Sequence, residues 1–203
     1  MIRLYHHVDC PFSQKVRIVL AEKDLEYEQV HVDLHKGEQR TQEFLKLNPY
    51  GKVPVLIDED VVIYDSTIIN EYLDEEYPHP ALLSEDSAGR ARVRLLEDFC
   101  DNSFINPSIL LLAELHKPDA ERDTEKVRRF AGEMGRVLGR LEPQLEGRQF
   151  LGDELSLADI AFAPRVVILG KLGVEVDPRL QNVAAWIGRL RERDSVRSLG
   201  LYS

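Results

Sequence analysis

The apolar positions divide the chain into two regimes. Up to about residue 77 they come in short runs of changing period: Ile2 to Tyr5 as a strand, a helical stretch from Pro11 to Lys23, then Glu26 to Val32, rich in β-branched and aromatic residues. Strand, helix and strand in that order predict a βαβ opening. A short helix is expected over Thr41 to Leu47, ahead of the turn Asn48-Pro49-Tyr50-Gly51. Two further apolar runs, Val53 to Ile57 and Val61 to Tyr64, have Asp58-Glu59-Asp60 as a hairpin turn between them. Ser66 is then expected to cap a helix whose apolar residues Ile68, Ile69, Tyr72 and Leu73 share one face. The predicted order is β-α-β-α-β-β-α.

Beyond Tyr77-Pro78-His79-Pro80, where each proline forces extended backbone on the residue before it, the pattern is wholly helical. Val127, Phe130, Ala131, Met134, Val137, Leu138, Leu141 and Leu145 trace one continuous stripe. A helix from about Ala88 to Leu115 is expected to bend near Pro107, and the last clear one runs through Val183, Trp186, Ile187 and Leu190. Ser156 and Asp159 have the spacing of a capping box, a device for folding and not for chemistry. The expected organisation is an α/β domain over residues 1–77, a linker over 78–86 and an all-helical domain over 87–203.

Composition narrows the classes. With 203 residues and 43% apolar side chains, the chain can bury a sizeable core. Its 26 basic against 36 acidic side chains, a net charge of −10, argue against direct nucleic-acid binding, which needs clustered Lys and Arg. No apolar run nears the roughly 20 residues that span a bilayer. The chain opens directly on a strand pattern, without a charged and then apolar leader, and a cytoplasmic location is expected. Two cysteines, Cys10 and Cys100, make no disulfide framework and suit a reducing compartment.

The candidate chemistry begins at Cys10-Pro11-Phe12-Ser13. Cys10 stands where a helix starts, so exposed N–H groups and the positive end of the helix dipole favour its thiolate, and Pro11 suits the first helical position. Cys100, inside a long helix, reads as a buried small hydrophobe. Because Ser13 replaces the second cysteine of a Cys-x-x-Cys pair, dithiol chemistry is excluded and monothiol exchange with a thiol cofactor remains. Val53-Pro54 begins a strand opposite the Cys10 loop; a cis bond there would turn the Val53 peptide groups towards a peptide-like ligand, whereas a trans proline would merely start an edge strand. Asp65-Ser66 offers an anion site and a carboxylate for an ammonium group. His6 and His7 carry no metal expectation, since adjacent strand residues face opposite sides and the chain has no second ligand pair at metal-site spacing.

Taken together, Cys-Pro-Phe-Ser at 10–13, Asn-Pro-Tyr-Gly-Lys-Val-Pro at 48–54, Asp-Ser at 65–66 and Ser-Leu-Ala-Asp at 156–159 resemble the cytosolic glutathione transferases over nearly the whole chain. The resemblance implies a thioredoxin-like domain followed by a helical one, and a homodimer. It implies glutathione as cosubstrate, with Cys10 at its sulfur, Val53 and Pro54 along its backbone, and Asp65 with Ser66 at its γ-glutamyl end. Gln39, Arg40 and Lys52 are implied contacts to the glycine carboxylate and nearby backbone. Cys-Pro-Phe is similar to the omega-type, cysteine-dependent branch, which implies thiol transfer and deglutathionylation over conjugation to electrophiles. Tyr5 and Ser13 are the alternative stabilisers of a bound thiolate. The segments Arg17 to Lys23, Glu71 to Pro80 and Glu192 to Ser195 also resemble stringent starvation protein A, a bacterial relative that binds RNA polymerase. In that case the surface around Tyr77 to Leu83 would be a protein-docking patch.

Overall fold

The computed structural model describes residues 1–201. They form two compact units, Met1–Ala81 and a second beginning at Leu82. The first contains β1 (Ile2–His6), α1 (Pro11–Glu22), β2 (Tyr27–His31), α2 (Gln42–Leu47), β3 (Val55–Asp58), β4 (Val61–Tyr64) and α3 (Ser66–Glu76), the thioredoxin-like order read from the sequence. The four strands lie in the order β2-β1-β3-β4. β1 runs parallel to β2 and antiparallel to β3, and β3 runs antiparallel to β4. Every residue of β3 is buried, as an inner strand covered on both faces requires, whereas Val61 and Val62 on the edge strand β4 are exposed.

Helices α1 and α3 pack together, and their C-terminal ends are tied by polar contacts. The fully buried Lys23 ammonium donates to Asp74 Oδ1 at 2.7 Å, to the Tyr77 carbonyl at 2.7 Å and to the Pro80 carbonyl at 2.8 Å. Three acceptors compensate a charge that would otherwise be very costly to desolvate. Nearby, Asp58 accepts from the Tyr77 hydroxyl at 2.7 Å and from the Tyr72 hydroxyl at 3.3 Å.

The second unit is helical: α4 (Ser87–Cys100), α5 (Asn106–Leu115), α6 (Thr124–Leu141), α7 (Leu157–Val166), α8 (Gln181–Glu192) and α9 (Asp194–Arg197). Just before Pro107, where a bend is expected, the helix passes through a π-helical turn over Asp101–Ile105. Proline cannot donate to the preceding turn, and a wider turn absorbs the missing bond: Asn106 N–H reaches the Asp101 carbonyl five residues back. Cys100 is fully buried. Leu82 and Leu83 are buried too, and the exposed part of the expected docking segment shrinks to Pro78–Ala81.

The capping box at the start of α7 is formed, and it does more than the sequence indicates. Asp159 accepts from the Ser156 N–H and hydroxyl, from the Leu151 N–H at 2.8 Å and from the Trp186 indole at 2.9 Å. Burial pushes its carboxyl above the usual range, against the pull of those donors. The indole also edges onto Phe162, which in turn packs on Phe104, so one carboxylate fixes the aromatic centre of the unit.

Candidate functional site

Strand register gathers the candidate residues. Because β3 is antiparallel to both neighbours, its first residue, Val55, pairs with Tyr5 near the end of β1 and with Tyr64 at the end of β4. Val53-Pro54 just ahead of β3, Cys10 shortly after β1 and Asp65-Ser66 directly after β4 therefore meet at one end of the sheet.

Cys10 is the N-cap of α1, with φ −75° and ψ 116°, and no side chain caps this helix start. Its N–H donates to the His7 carbonyl at 3.2 Å and its own carbonyl accepts from Gln14 N–H at 2.9 Å, which fixes the loop before Pro11. The thiol lies 3.9 Å from the Val53 carbonyl. The Val53–Pro54 bond is cis. Cys10 and Tyr64 border an apolar cluster of Val32, Phe44, Val53 and Val55, so the half-buried sulfur has apolar walls on one side and a peptide carbonyl on another.

Asn48 builds the turn that presents Val53. Its amide donates to the Lys52 carbonyl at 2.7 Å and accepts from Tyr50 N–H at 2.9 Å. Gly51 sits at φ +59°, and a Cβ there would stand 2.9 Å from the Gln39 carbonyl and 3.2 Å from the Arg40 guanidinium. Only glycine permits that approach. Gln39, Arg40 and Lys52 are thereby neighbours, and the Gln39 side-chain oxygen is buried without a hydrogen-bond partner.

Two expectations need correction. The cap of α3 is Asp65, not Ser66: Asp65, at φ +77°, accepts from Thr67 N–H at 3.0 Å and Ile68 N–H at 3.4 Å. A carboxylate on the residue before the first helical position reaches those donors, whereas Ser66 is already inside the helix and buried. The expected separation of His6 from His7 also fails. β1 ends at His6, and both the His6 and His7 rings come against His31, with centroids 6.2 Å and 5.2 Å away. Burial first, then the charge of Arg17 and the neighbouring rings, push His6 down to about 4.

Ser13 is fully buried and its hydroxyl accepts from His7 N–H at 3.4 Å, an internal contact of the loop. Tyr5 turns its ring to the edge of Phe44, 6.3 Å between centroids. Residues given no individual role beforehand are Asn48, named only in its turn and motif, and Tyr64 with Tyr50, whose rings meet edge to face at 5.9 Å beside the Asp65 turn. An Asx-type residue ahead of Pro-Tyr-Gly was the available signal for the first. Nothing in spacing marks the aromatic pair.

The comparisons with known proteins agree over both units. The family described as "Glutathione S-transferase, N-terminal domain" matches residues 1–75, and "Glutathione S-transferase, C-terminal domain" matches residues 104–194. The chain is 39% identical over 194 residues to a maleylacetoacetate isomerase of Pseudomonas aeruginosa, covering 90% of this chain and 89% of that protein. It is 36% identical over 170 residues to a stringent starvation protein A homologue of Coxiella burnetii, covering 83% and 76%. Among solved structures it is similar to Ure2p in complex with S-hexylglutathione, with a TM-score of 0.87, 27% identity, and coverage of 98% of this chain and 97% of that one.

Proposed function

The chain belongs to the glutathione S-transferase family, and from that premise we propose that it is a cysteine-dependent glutathione thiol transferase. The observation that carries this reading is the uncapped start of α1, where the Cys10 thiol stands 3.9 Å from the Val53 carbonyl. Cys10 thiolate attacks the glutathione sulfur of a mixed disulfide, the S–S bond breaks, and the substrate leaves as its thiolate. A second glutathione thiolate then attacks the Cys10–glutathione disulfide, which regenerates Cys10 and releases oxidised glutathione. Val53 pairs with the glutathione backbone beside Pro54, Asp65 and Ser66 take the γ-glutamyl end, and Gln39, Arg40 and Lys52 the glycine end. Ser13 and Tyr5 are less suited to hold the thiolate, because the first is spent on His7 N–H and the second packs on Phe44.

The proposed enzyme is a cytoplasmic homodimer. Exposed Val61, Val62 and Ile68 supply apolar surface for a second copy, and light scattering should return twice the chain mass. The deciding assay uses glutathione and a glutathionylated peptide. Cys10→Ala should abolish turnover; an unchanged rate would sink the mechanism. The similarity to stringent starvation protein A supports a second reading, a regulator bound to RNA polymerase. That reading predicts co-purification with the polymerase that survives Cys10→Ala.

A further inference from the structure

β1 ends at His6, and just past the end of β2 the His6 carbonyl accepts from Val32 N–H at 2.8 Å. In a parallel ladder a residue bonds through its N–H and its C=O to two residues that lie two apart on the neighbouring strand. A straight continuation of β1 would therefore bring Val8 N–H to the Val32 carbonyl. The strand stops instead, and the His7 ring takes that place. Its Nδ1 lies 3.0 Å from the Val32 carbonyl, and a carbonyl can only accept, so Nδ1 carries a proton and donates it. A side chain thus supplies the donor that the main chain no longer offers.

Two more contacts run from the same residue into the start of α1. His7 N–H donates to the Ser13 hydroxyl at 3.4 Å, and the His7 carbonyl accepts from Cys10 N–H at 3.2 Å. Gln14 holds the other side of the loop: its side-chain amide donates to the Val8 carbonyl at 2.6 Å and its N–H to the Cys10 carbonyl at 2.9 Å. Cys10 is therefore bonded through its main chain to both His7 and Gln14, and His7 carries the loop across to β2. The His7 ring is buried, with the His31 and His35 rings alongside it, their centroids 5.2 Å and 5.8 Å away. Its acceptor, Val32, belongs to the apolar cluster that Cys10 borders. One hydrogen bond consequently ties the loop that carries the sulfur to the wall against which the sulfur lies.

We propose that His7 is a positioning residue for Cys10: its Nδ1–H bond to Val32 fixes the loop that holds the sulfur at the start of α1. This rests on the reading of Cys10 as the reacting thiol. Loss of the ring donor leaves the carbonyl of buried Val32 unpaired and frees the loop, and the sulfur then leaves its place at the exposed N–H groups of the helix start. Alkylation of the folded protein by iodoacetamide reads the thiol directly and needs no glutathione, so this inference can fail while the thiol-transfer reading stands, and the reverse. Cys10→Ala serves as the blank, since Cys100 is fully buried. His7→Leu should slow alkylation about tenfold or more, because a misplacement of about 1 Å can cost a positioned group roughly 10²-fold. His7→Asn should restore most of the rate, because its amide nitrogen is bonded to Cγ as Nδ1 is and donates to the same carbonyl. His7→Gln, with its amide one carbon further out, should be slowed like His7→Leu and keeps the comparison open if the leucine variant does not fold. Urea midpoints separate positioning from folding. A lowered midpoint in His7→Leu with alkylation at or above the parent's rate makes the residue structural alone and overturns the proposal. So does a His7→Asn variant as slow as the others, which would take the role away from Nδ1–H.

Discussion

Helices α1 and α7 begin in opposite ways. At α7 the Ser156–Asp159 box takes up the first N–H groups and reaches on to Leu151 and Trp186. At α1 the N-cap is a cysteine that makes no capping bond. A capped start commits its donors to folding, whereas an uncapped one leaves partial positive charge for a ligand or a thiolate. The same helix α1 is held firmly at its far end, where Lys23 meets Asp74 and the Tyr77 and Pro80 carbonyls. Anchoring one end allows the other to stay chemically open.

Substitutions at the two helix starts should separate activity from stability. Cys10→Ala should cost on the order of 10²-fold or more in thiol transfer, as loss of a nucleophile does, with an unchanged urea midpoint. A comparable loss of stability would break the contrast. Asp159→Ala should leave several buried donors unpaired and destabilise the helical unit by about 3–5 kcal/mol. Trp186, the single tryptophan and a partner of Asp159, reports that unfolding by fluorescence; a midpoint close to the parent's would show that α7 does not depend on its box.

The anchored end sharpens the comparison. Lys23→Met breaks a buried ion pair and should cost about 3 kcal/mol, seen as faster amide exchange in α1. Helix α3 is an intermediate case, capped by Asp65 yet held at φ +77°. Asp65→Ala should cost about 0.5–2 kcal/mol for the lost cap and weaken glutathione binding by calorimetry. The smallest effect is alkaline. Hydrogen bonding to Asp58, then burial, push the Tyr77 hydroxyl up to about 12. Since the folded state holds that proton more tightly than the unfolded one, its stabilisation is complete below about pH 10 and is lost as pH rises towards 12. Tyr77→Phe should flatten the stability-versus-pH curve over that window.

Element order was legible because each segment of the first unit carries its own period and its own turn residues, from Ile2 to the Asp58-Glu59-Asp60 hairpin. The interruption of regular α-helix ahead of Pro107 and the box at Ser156 were legible for the same reason: each is a local device within a few residues. The cap of α3 was misplaced by one residue because Asp65 and Ser66 are both good capping types, and only the backbone angle at Asp65 decides between them. The histidine group was hidden. It depends on β1–β2 register, joining residues about 25 positions apart, which no window of the sequence contains.

By itself, then, the sequence determined the two-part architecture, the helix-start thiol and the family's motifs, because propensity, periodicity and spacing act over one or two turns. Only tertiary structure decided which of those residues share a site. Antiparallel pairing of β3 with both β1 and β4 carries Cys10, Val53 and Asp65 to one end of the sheet, and a single change of strand direction would have scattered them. Packing also withdrew Ser13 into the loop and set His31 and His35 beside His7. Such contacts arise from the sheet's shared hydrogen bonds and from burial, which are properties of the folded chain as a whole.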